Sequence, residues 1–114
     1  NMNFGEMLRE LRKAKSYSQR ELADILEVSF TYLSKLENNR MDRPPSEELI
    51  RKMAEALDAK ADDLLILAER IPTDIAGIIL DQPESIELLR SMEGMSRDEW
   101  REWIQEIKRR RENR

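Results

Sequence analysis

Residues 18–40 read SQRELADILEVSFTYLSKLENNR, and the fold follows from this stretch. Ser18 and Glu21 form a Ser-x-x-Glu capping box, which predicts that a helix begins here. Ser29 predicts the start of a second helix, and Asn39 predicts its end because Asn tolerates the left-handed backbone. The stretch therefore predicts two short helices joined by a turn. Their inward apolar positions are Leu22, Ala23, Leu26, Val28, Leu33 and Leu36.

The remaining sequence also favours helices, since no alternation typical of strands is sustained anywhere. We therefore predict an all-α fold, with five helices up to residue 69 and a small helical segment from 73 to 114. Pro72 marks the boundary between these two predicted domains, 3–69 and 73–114, because proline interrupts helices. The other predicted helices cover residues 4–14, 46–57, 61–69, 73–80, 83–93 and 96–111.

The composition excludes several classes of protein. The chain has no Cys and no His, so it cannot form disulfides, and a zinc site would need carboxylates alone. There is no Gly-rich phosphate loop and no nucleophile elbow, so we expect no catalytic residues, no cofactor and no metal. No apolar run approaches the roughly 18 residues that span a membrane. No signal peptide is visible, so the expected location is the cytoplasm.

Charge is distributed unevenly along the chain, although the net charge is only -4. Residues 9–43 contain eight Lys or Arg and six Asp or Glu, whereas residues 47–63 contain three basic and six acidic residues. A polyanionic partner is therefore expected to meet the surface formed by residues 9–43.

The stretch resembles the Cro/CI (Xre) family of helix-turn-helix repressors from residue 3 to about residue 67. The matching segments are SQ at 18–19, ELA at 21–23, VS at 28–29, LSKLEN at 33–38 and RPPS at 43–46. The resemblance implies a five-helix, lambda-repressor-like domain that binds double-stranded DNA. It also implies an internal ion pair between Arg12 and Glu37.

The outer edge of the second helix of this motif is expected to enter the major groove, which admits one α-helix. Helical spacing turns Phe30, Thr31, Ser34 and Lys35 towards the bases, and the resemblance assigns base reading to Phe30, Thr31 and Lys35. Lys35 can donate hydrogen bonds to guanine. Phe30 cannot form hydrogen bonds, so it can respond only to the shape of the groove or contact thymine methyl groups. Two alternatives stay open: Lys35 is a solvated lysine, or Phe30 packs on a partner or on the C-terminal segment.

Phosphate contacts are expected from residues on both sides of that helix. Gln19 lies at a helix N-terminus, where an amide and the helix dipole can hold a phosphate. Asn38, Arg40 and Arg43 follow the recognition helix and are expected to contact the backbone of the DNA. Tyr32 either reaches a phosphate or packs against the fourth helix.

The turn departs from the family at Glu27, where the family has Gly. If the position has a positive φ, a residue other than Gly costs about 1 kcal/mol or more. Ile25 stands where an exposed polar residue is usual, which suggests that another element covers it.

The segment 73–114 carries apolar helix faces that need a partner. We expect self-association through them, as a homodimer or higher homo-oligomer that suits a palindromic operator; the alternative is that they fold back on the fifth helix. The expected interface consists of Ile86, Leu89, Trp100, Trp103, Ile104 and Ile107.

Residue patterns in this segment are similar to the multimerisation hairpin of sporulation and biofilm repressors in bacilli. They are LDQ at 80–82, ELL at 87–89, MS at 95–96, Glu99 and REWI at 101–104. That resemblance implies that the hairpin can exchange its partner hairpin for a small antirepressor. The Ile71-Pro72 junction and the helices after it resemble the same region of repressors that a metallopeptidase partner inactivates. An antitoxin that masks a toxin is the alternative function. The cations at residues 108–111 either complement the helix dipole or add phosphate affinity.

Overall fold

The computed structural model describes all 114 residues and contains eight α-helices and no strand. The predicted all-α fold is confirmed. The helices divide between two compact units, an N-terminal unit of Asn1–Thr73 and a C-terminal unit of Asp74–Arg114. The helices are α1 (Phe4–Ala14), α2 (Gln19–Leu26), α3 (Phe30–Glu37), α4 (Glu47–Leu57), α5 (Ala61–Leu67), α6 (Thr73–Asp81), α7 (Glu84–Ser91) and α8 (Arg97–Glu112).

The N-terminal unit has one continuous apolar core, to which all of its five helices α1–α5 contribute. Removing this apolar surface from water is the main force that holds short helices of seven to eleven residues together. The core consists of Phe4, Leu8, Leu22, Ala23, Leu26, Leu33, Leu36, Ile50, Met53, Ala54, Leu57, Leu64, Leu65 and Ala68.

Side-chain caps fix where the helices begin, as the sequence predicts. The Ser18 hydroxyl accepts from the Glu21 amide at 3.0 Å, while the Glu21 carboxylate accepts from the Ser18 amide at 2.9 Å. Ser29 caps α3 in the same way, with the Tyr32 amide at 3.0 Å. The fifth helix ends at Leu67, earlier than the predicted residue 69, because Glu69 adopts a left-handed conformation with φ of 58°.

The turn between α2 and α3 contains the strain that the sequence predicts. Glu27 has φ of 59° and ψ of 40°, the left-handed region in which a non-Gly residue is unfavourable. The suggestion that another element covers Ile25 is wrong: its side chain is 49% exposed. Ile25 borders a shallow groove between α2 and α4, together with Lys52, Glu55 and Ala56.

The C-terminal unit contains helices but almost no core. Met92 is its one buried apolar side chain, and none of the residues of α6, α7 or α8 is buried. Gly94 has φ of 83° and lies between α7 and α8. Ser96 and Glu99 form a capping box at the start of α8. No helix of the chain has the length and apolar character needed to cross a membrane.

Candidate nucleic-acid interface

The third helix has a buried side and an exposed side. Leu33 and Leu36 lie in the core with 0% and 3% exposure, which fixes how the helix is rotated. The opposite side leaves Thr31 and Lys35 exposed, one helical turn apart, and Phe30 is 39% exposed beside them. Ser34 is half-buried. The structure thus brings the four predicted base-contacting residues onto one helix, while their contact with bases stays a prediction.

Phe30 packs within the motif itself. The guanidinium of Arg20, on α2, lies over the Phe30 ring with its Cζ atom 4.6 Å from the ring centre. A cation above an aromatic face is attracted by the electron-rich ring. This contact differs from both partners that the sequence suggested for Phe30, which were another protein and the C-terminal segment.

A buried carboxylate organises the end of α3. Glu37 is 2% exposed and accepts two hydrogen bonds from Arg12, at 2.7 Å from Nε and 3.0 Å from Nη2. The predicted Arg12–Glu37 ion pair is therefore confirmed. Arg12 also donates from Nη1 to the carbonyl oxygen of Tyr17 at 2.9 Å, so the pair links α1, the start of α2 and the end of α3.

The environment of Glu37 favours its ionised form. Burial alone would raise the pKa of the carboxyl group, but hydrogen bonds from Arg12, Gln19 and Arg9 and the charge of Arg12 outweigh burial and lower the pKa. Because the pKa of Glu37 is lower in the folded state than in the unfolded state, its ionised carboxylate stabilises the fold at pH values above the unfolded-state pKa. This stabilisation is lost as the pH falls through the folded-state pKa. The network therefore weakens in acid.

Gln19 and Arg9 complete this network. Gln19 Nε2 donates to Glu37 Oε1 at 3.0 Å, so one of its two N–H groups points into the protein. Arg9 Nε lies 3.5 Å from the same oxygen, and Arg9 Nη2 donates to Asn38 Oδ1 at 2.8 Å. Gln19 and Asn38 were predicted from the sequence as phosphate contacts, whereas no role was predicted for Arg9.

The remaining predicted phosphate contacts lie around the loop after α3. Arg40 and Arg43 are exposed, whereas Tyr32 is half-buried against the core. Arg70 fixes the far end of this loop, since its Nε donates to the carbonyl oxygen of Pro45 at 2.5 Å.

An unusually close approach joins α1 to the end of α3 at Gly5. Its amide donates to Asn39 Oδ1 at 3.0 Å. A Cβ atom on Gly5 would lie 2.6 Å from the carbonyl oxygens of Glu37 and Leu36, so only Gly fits. No local pattern in the sequence marks this contact, because it joins residues more than thirty positions apart.

In the C-terminal unit, the predicted interface residues are exposed. Trp100, Trp103, Ile104 and Ile107 follow one face of α8 and are 38–51% exposed. Ile86 and Leu89 of α7 are 43% and 44% exposed. Among the cations at residues 108–111, Arg109 and Arg110 pair with Glu106, at 3.1 Å and 3.0 Å from their Nε atoms, which neutralises part of the run.

Comparison with known proteins decides the family, since residues 8–64 match the helix-turn-helix family HTH_3. The chain belongs to this helix-turn-helix family. The transcriptional regulator SinR of Bacillus licheniformis is 31% identical over 101 residues, covering 89% of this chain and 88% of the relative. The predicted Cro/CI (Xre) type is thereby confirmed, and so is the prediction that the chain is a regulator rather than an enzyme.

Two solved structures of SinR resemble this helix-turn-helix protein. A complex of SinR with DNA is 35% identical, covers 54% of this chain and 97% of that chain, and superposes with a TM-score of 0.50. A complex of SinR with SinI is 27% identical, covers 96% of this chain and 98% of that chain, and has a TM-score of 0.53. The likeness therefore extends over most of both units.

Proposed function

We propose that this transcriptional regulator is a repressor that binds a palindromic duplex operator with α3 in the major groove. The observation that carries the proposal is the rotation of α3, with Leu33 and Leu36 in the core and Phe30, Thr31 and Lys35 outward. In this placement Lys35 donates to guanine and Thr31 contacts a base edge or a thymine methyl group. Ser34, one turn after Phe30, completes the base-reading set.

Phosphate contacts hold α3 in register. Gln19 keeps one amide hydrogen free after its bond to Glu37, and it lies in the first turn of α2. The exposed cations Arg40 and Arg43 follow α3, and Asn38 caps its C-terminal end. Tyr32 is half-buried on α3 and is proposed to reach a phosphate with its hydroxyl group. These contacts provide affinity without sequence information.

The C-terminal unit is proposed to join two or more copies of the chain. Seven large apolar side chains on α7 and α8 are exposed there, and an assembly that covers them would align two N-terminal units with a two-fold symmetric operator. SinR, a relative that matches most of this chain, forms a complex with the protein SinI. An antirepressor is therefore proposed to act on the same face, and cleavage by a protease partner would release DNA in the same way.

The first experiment selects binding sites from a library of random-sequence duplexes. Fluorescence anisotropy then compares the selected duplex with a scrambled one. We expect the selected duplex to bind about a thousandfold more tightly or better. Lys35→Ala should reduce this discrimination by about 1–3 kcal/mol. Lys52→Ala, an exposed lysine on α4, is the matched control and should leave discrimination unchanged.

The phosphate contacts are tested by salt dependence. Arg40→Ala should weaken binding to both duplexes equally and reduce the slope of log K against log salt by about 0.9. Failure of the selection to enrich any sequence would overturn sequence-specific binding. An unchanged slope would remove Arg40 alone from the contacts.

Sedimentation velocity tests the assembly. The double variant Trp100→Ala/Trp103→Ala should be a folded monomer with weakened DNA binding, because two anchoring side chains of the interface are lost. An unchanged oligomer would contradict this interface. A wild-type chain that sediments as a monomer would instead favour the second candidate function, an antitoxin whose exposed α7–α8 face masks a toxin.

A further inference from the structure

We propose that Arg9 of α1 is a further DNA-phosphate contact, held in position by the buried carboxylate of Glu37 and by Asn38. This inference rests on the proposed binding of DNA by the N-terminal unit. It adds the first helix to a surface that the sequence places only on α2, α3 and the loop after α3.

The charges around Glu37 do not balance. Its single carboxylate receives the bidentate pair from Arg12, whose side chain is only 12% exposed, so Arg12 and Glu37 neutralise each other. Arg9 Nε approaches the same carboxylate at 3.5 Å, a longer and weaker contact than the two hydrogen bonds from Arg12. One positive charge is therefore left over at Arg9, whose side chain is 36% exposed.

The position of Arg9 is fixed by the end of α3. Arg9 Nη2 donates to Asn38 Oδ1 at 2.8 Å, and Asn38 Nδ2 donates to the carbonyl oxygen of Ser34 at 2.8 Å. Asn38 is the C-terminal cap of α3. The guanidinium of Arg9 is thus held against the helix that is proposed to enter the groove, rather than extending freely from α1.

Three groups suited to phosphate converge on this point. Gln19 and Arg9 share the Oε1 atom of Glu37, and Arg9 bonds to Asn38. Arg9 Nη1 makes no hydrogen bond within the chain, so it offers N–H donors to a phosphate oxygen. In this arrangement Glu37 is a positioning residue: it touches no DNA and orients the two side chains that do.

The test measures how the affinity for duplex DNA depends on salt, using the full chain and both the selected and the scrambled duplex. Arg9→Gln keeps a polar side chain and removes the charge, so it should lower the slope of log K against log salt by about 0.9 on both duplexes. Between about 50 and 200 mM salt, wild-type affinity should then fall roughly threefold more than that of the variant.

Two further variants separate a phosphate contact from a structural role. Arg9→Lys keeps the charge, so its slope of log K against log salt should equal that of the wild type, even though its bond to Asn38 is weakened. Lys15→Ala also removes one cation near the end of α1, but Lys15 is neutralised by Asp58 at 2.6 Å, so the slope should not change. Circular dichroism confirms that each variant is folded.

The outcomes distinguish this inference from the proposed function. A wild-type slope that is steep and is not altered by Arg9→Gln would overturn the role of Arg9 and leave DNA binding intact. A slope that falls in Arg9→Lys as much as in Arg9→Gln would also overturn it, because the geometry and not the charge would then be responsible. A wild-type chain without salt-dependent binding to any duplex would overturn the proposed function itself.

Discussion

The two units of the chain use apolar side chains differently. In the N-terminal unit, fourteen of them form a closed core around α1–α5. In the C-terminal unit only Met92 is buried, and both tryptophans of the chain are exposed on α8. A helix can therefore form without contributing to a core. The cap and the helical periodicity specify α8, but no other helix of the unit buries its apolar face.

The aromatic residues allow the two units to be followed separately. Both tryptophans lie in the C-terminal unit, and both tyrosines, Tyr17 and Tyr32, lie in the N-terminal unit. Tryptophan fluorescence therefore reports on one unit, and tyrosine absorbance reports on the other. The following expectations use these two signals, together with circular dichroism.

The largest expected effect is that of Glu37→Ala. Removing the carboxylate leaves Arg12 nearly buried without its partner, which should lower the free energy of unfolding by about 3–5 kcal/mol in urea titrations followed by tyrosine absorbance. Glu48→Ala is the matched control, since Glu48 is exposed and lies 3.9 Å from Lys52. Equal effects of the two substitutions would mean that the network does not hold the N-terminal unit together.

The same substitution in each unit tests the contrast between them directly. Leu65→Ala removes a fully buried side chain of the N-terminal core and should cost about 2–5 kcal/mol. Leu89→Ala, at a position 44% exposed, should change the stability of a single chain by less than about 1 kcal/mol and instead weaken self-association. A large loss at Leu89 in dilute, monomeric protein would show that the C-terminal unit has a core after all.

Glycine-to-alanine substitutions extend the contrast to the backbone. Gly5→Ala forces α1 away from α3 and should destabilise the N-terminal unit by about 1–3 kcal/mol in thermal or urea unfolding. Gly77→Ala in α6 has nothing within 4 Å and should stabilise that helix by up to about 1 kcal/mol. The expectation fails if both substitutions change stability in the same direction.

The smallest effects come from the left-handed turn residues. Glu27→Gly should stabilise the N-terminal unit by about 0.5–1 kcal/mol, because φ of 59° suits Gly. Gly94→Ala should have the opposite sign, because φ of 83° is unfavourable for Ala. A loss of stability in Glu27→Gly would indicate that the Glu27 side chain contributes more than its strained backbone costs.

Local signals predicted the helices well. Ser18, Ser29 and Ser96 act through amides only three residues away, so a short sequence window contains the whole interaction. The left-handed backbone of Glu27 could also be predicted, because the family has Gly at the same position. The predicted end of α5 was two residues too late, since nothing in the sequence marks Glu69 for the left-handed region.

Contacts between distant residues were harder to predict. The Arg12–Glu37 pair came from the family resemblance, whereas Arg9–Asn38, Gln19–Glu37 and Arg20–Phe30 came only from the structure. Each of these depends on how two helices are placed against each other, and helical periodicity gives the direction of a side chain but not its neighbour. Ile25 shows the same limit, because apolar character alone did not mean that it was covered.

The stacking of Arg20 on Phe30 has a consequence for the entropy of the proposed DNA recognition. A large side chain that is free in solution loses rotamer freedom on binding, at a cost of about 0.5–1.5 kcal/mol. Phe30 is 39% exposed, yet the guanidinium at 4.6 Å already restricts its ring before any partner arrives. The outer surface of α3 is thus preorganised by its neighbour on α2, and less order has to be created when that surface is covered.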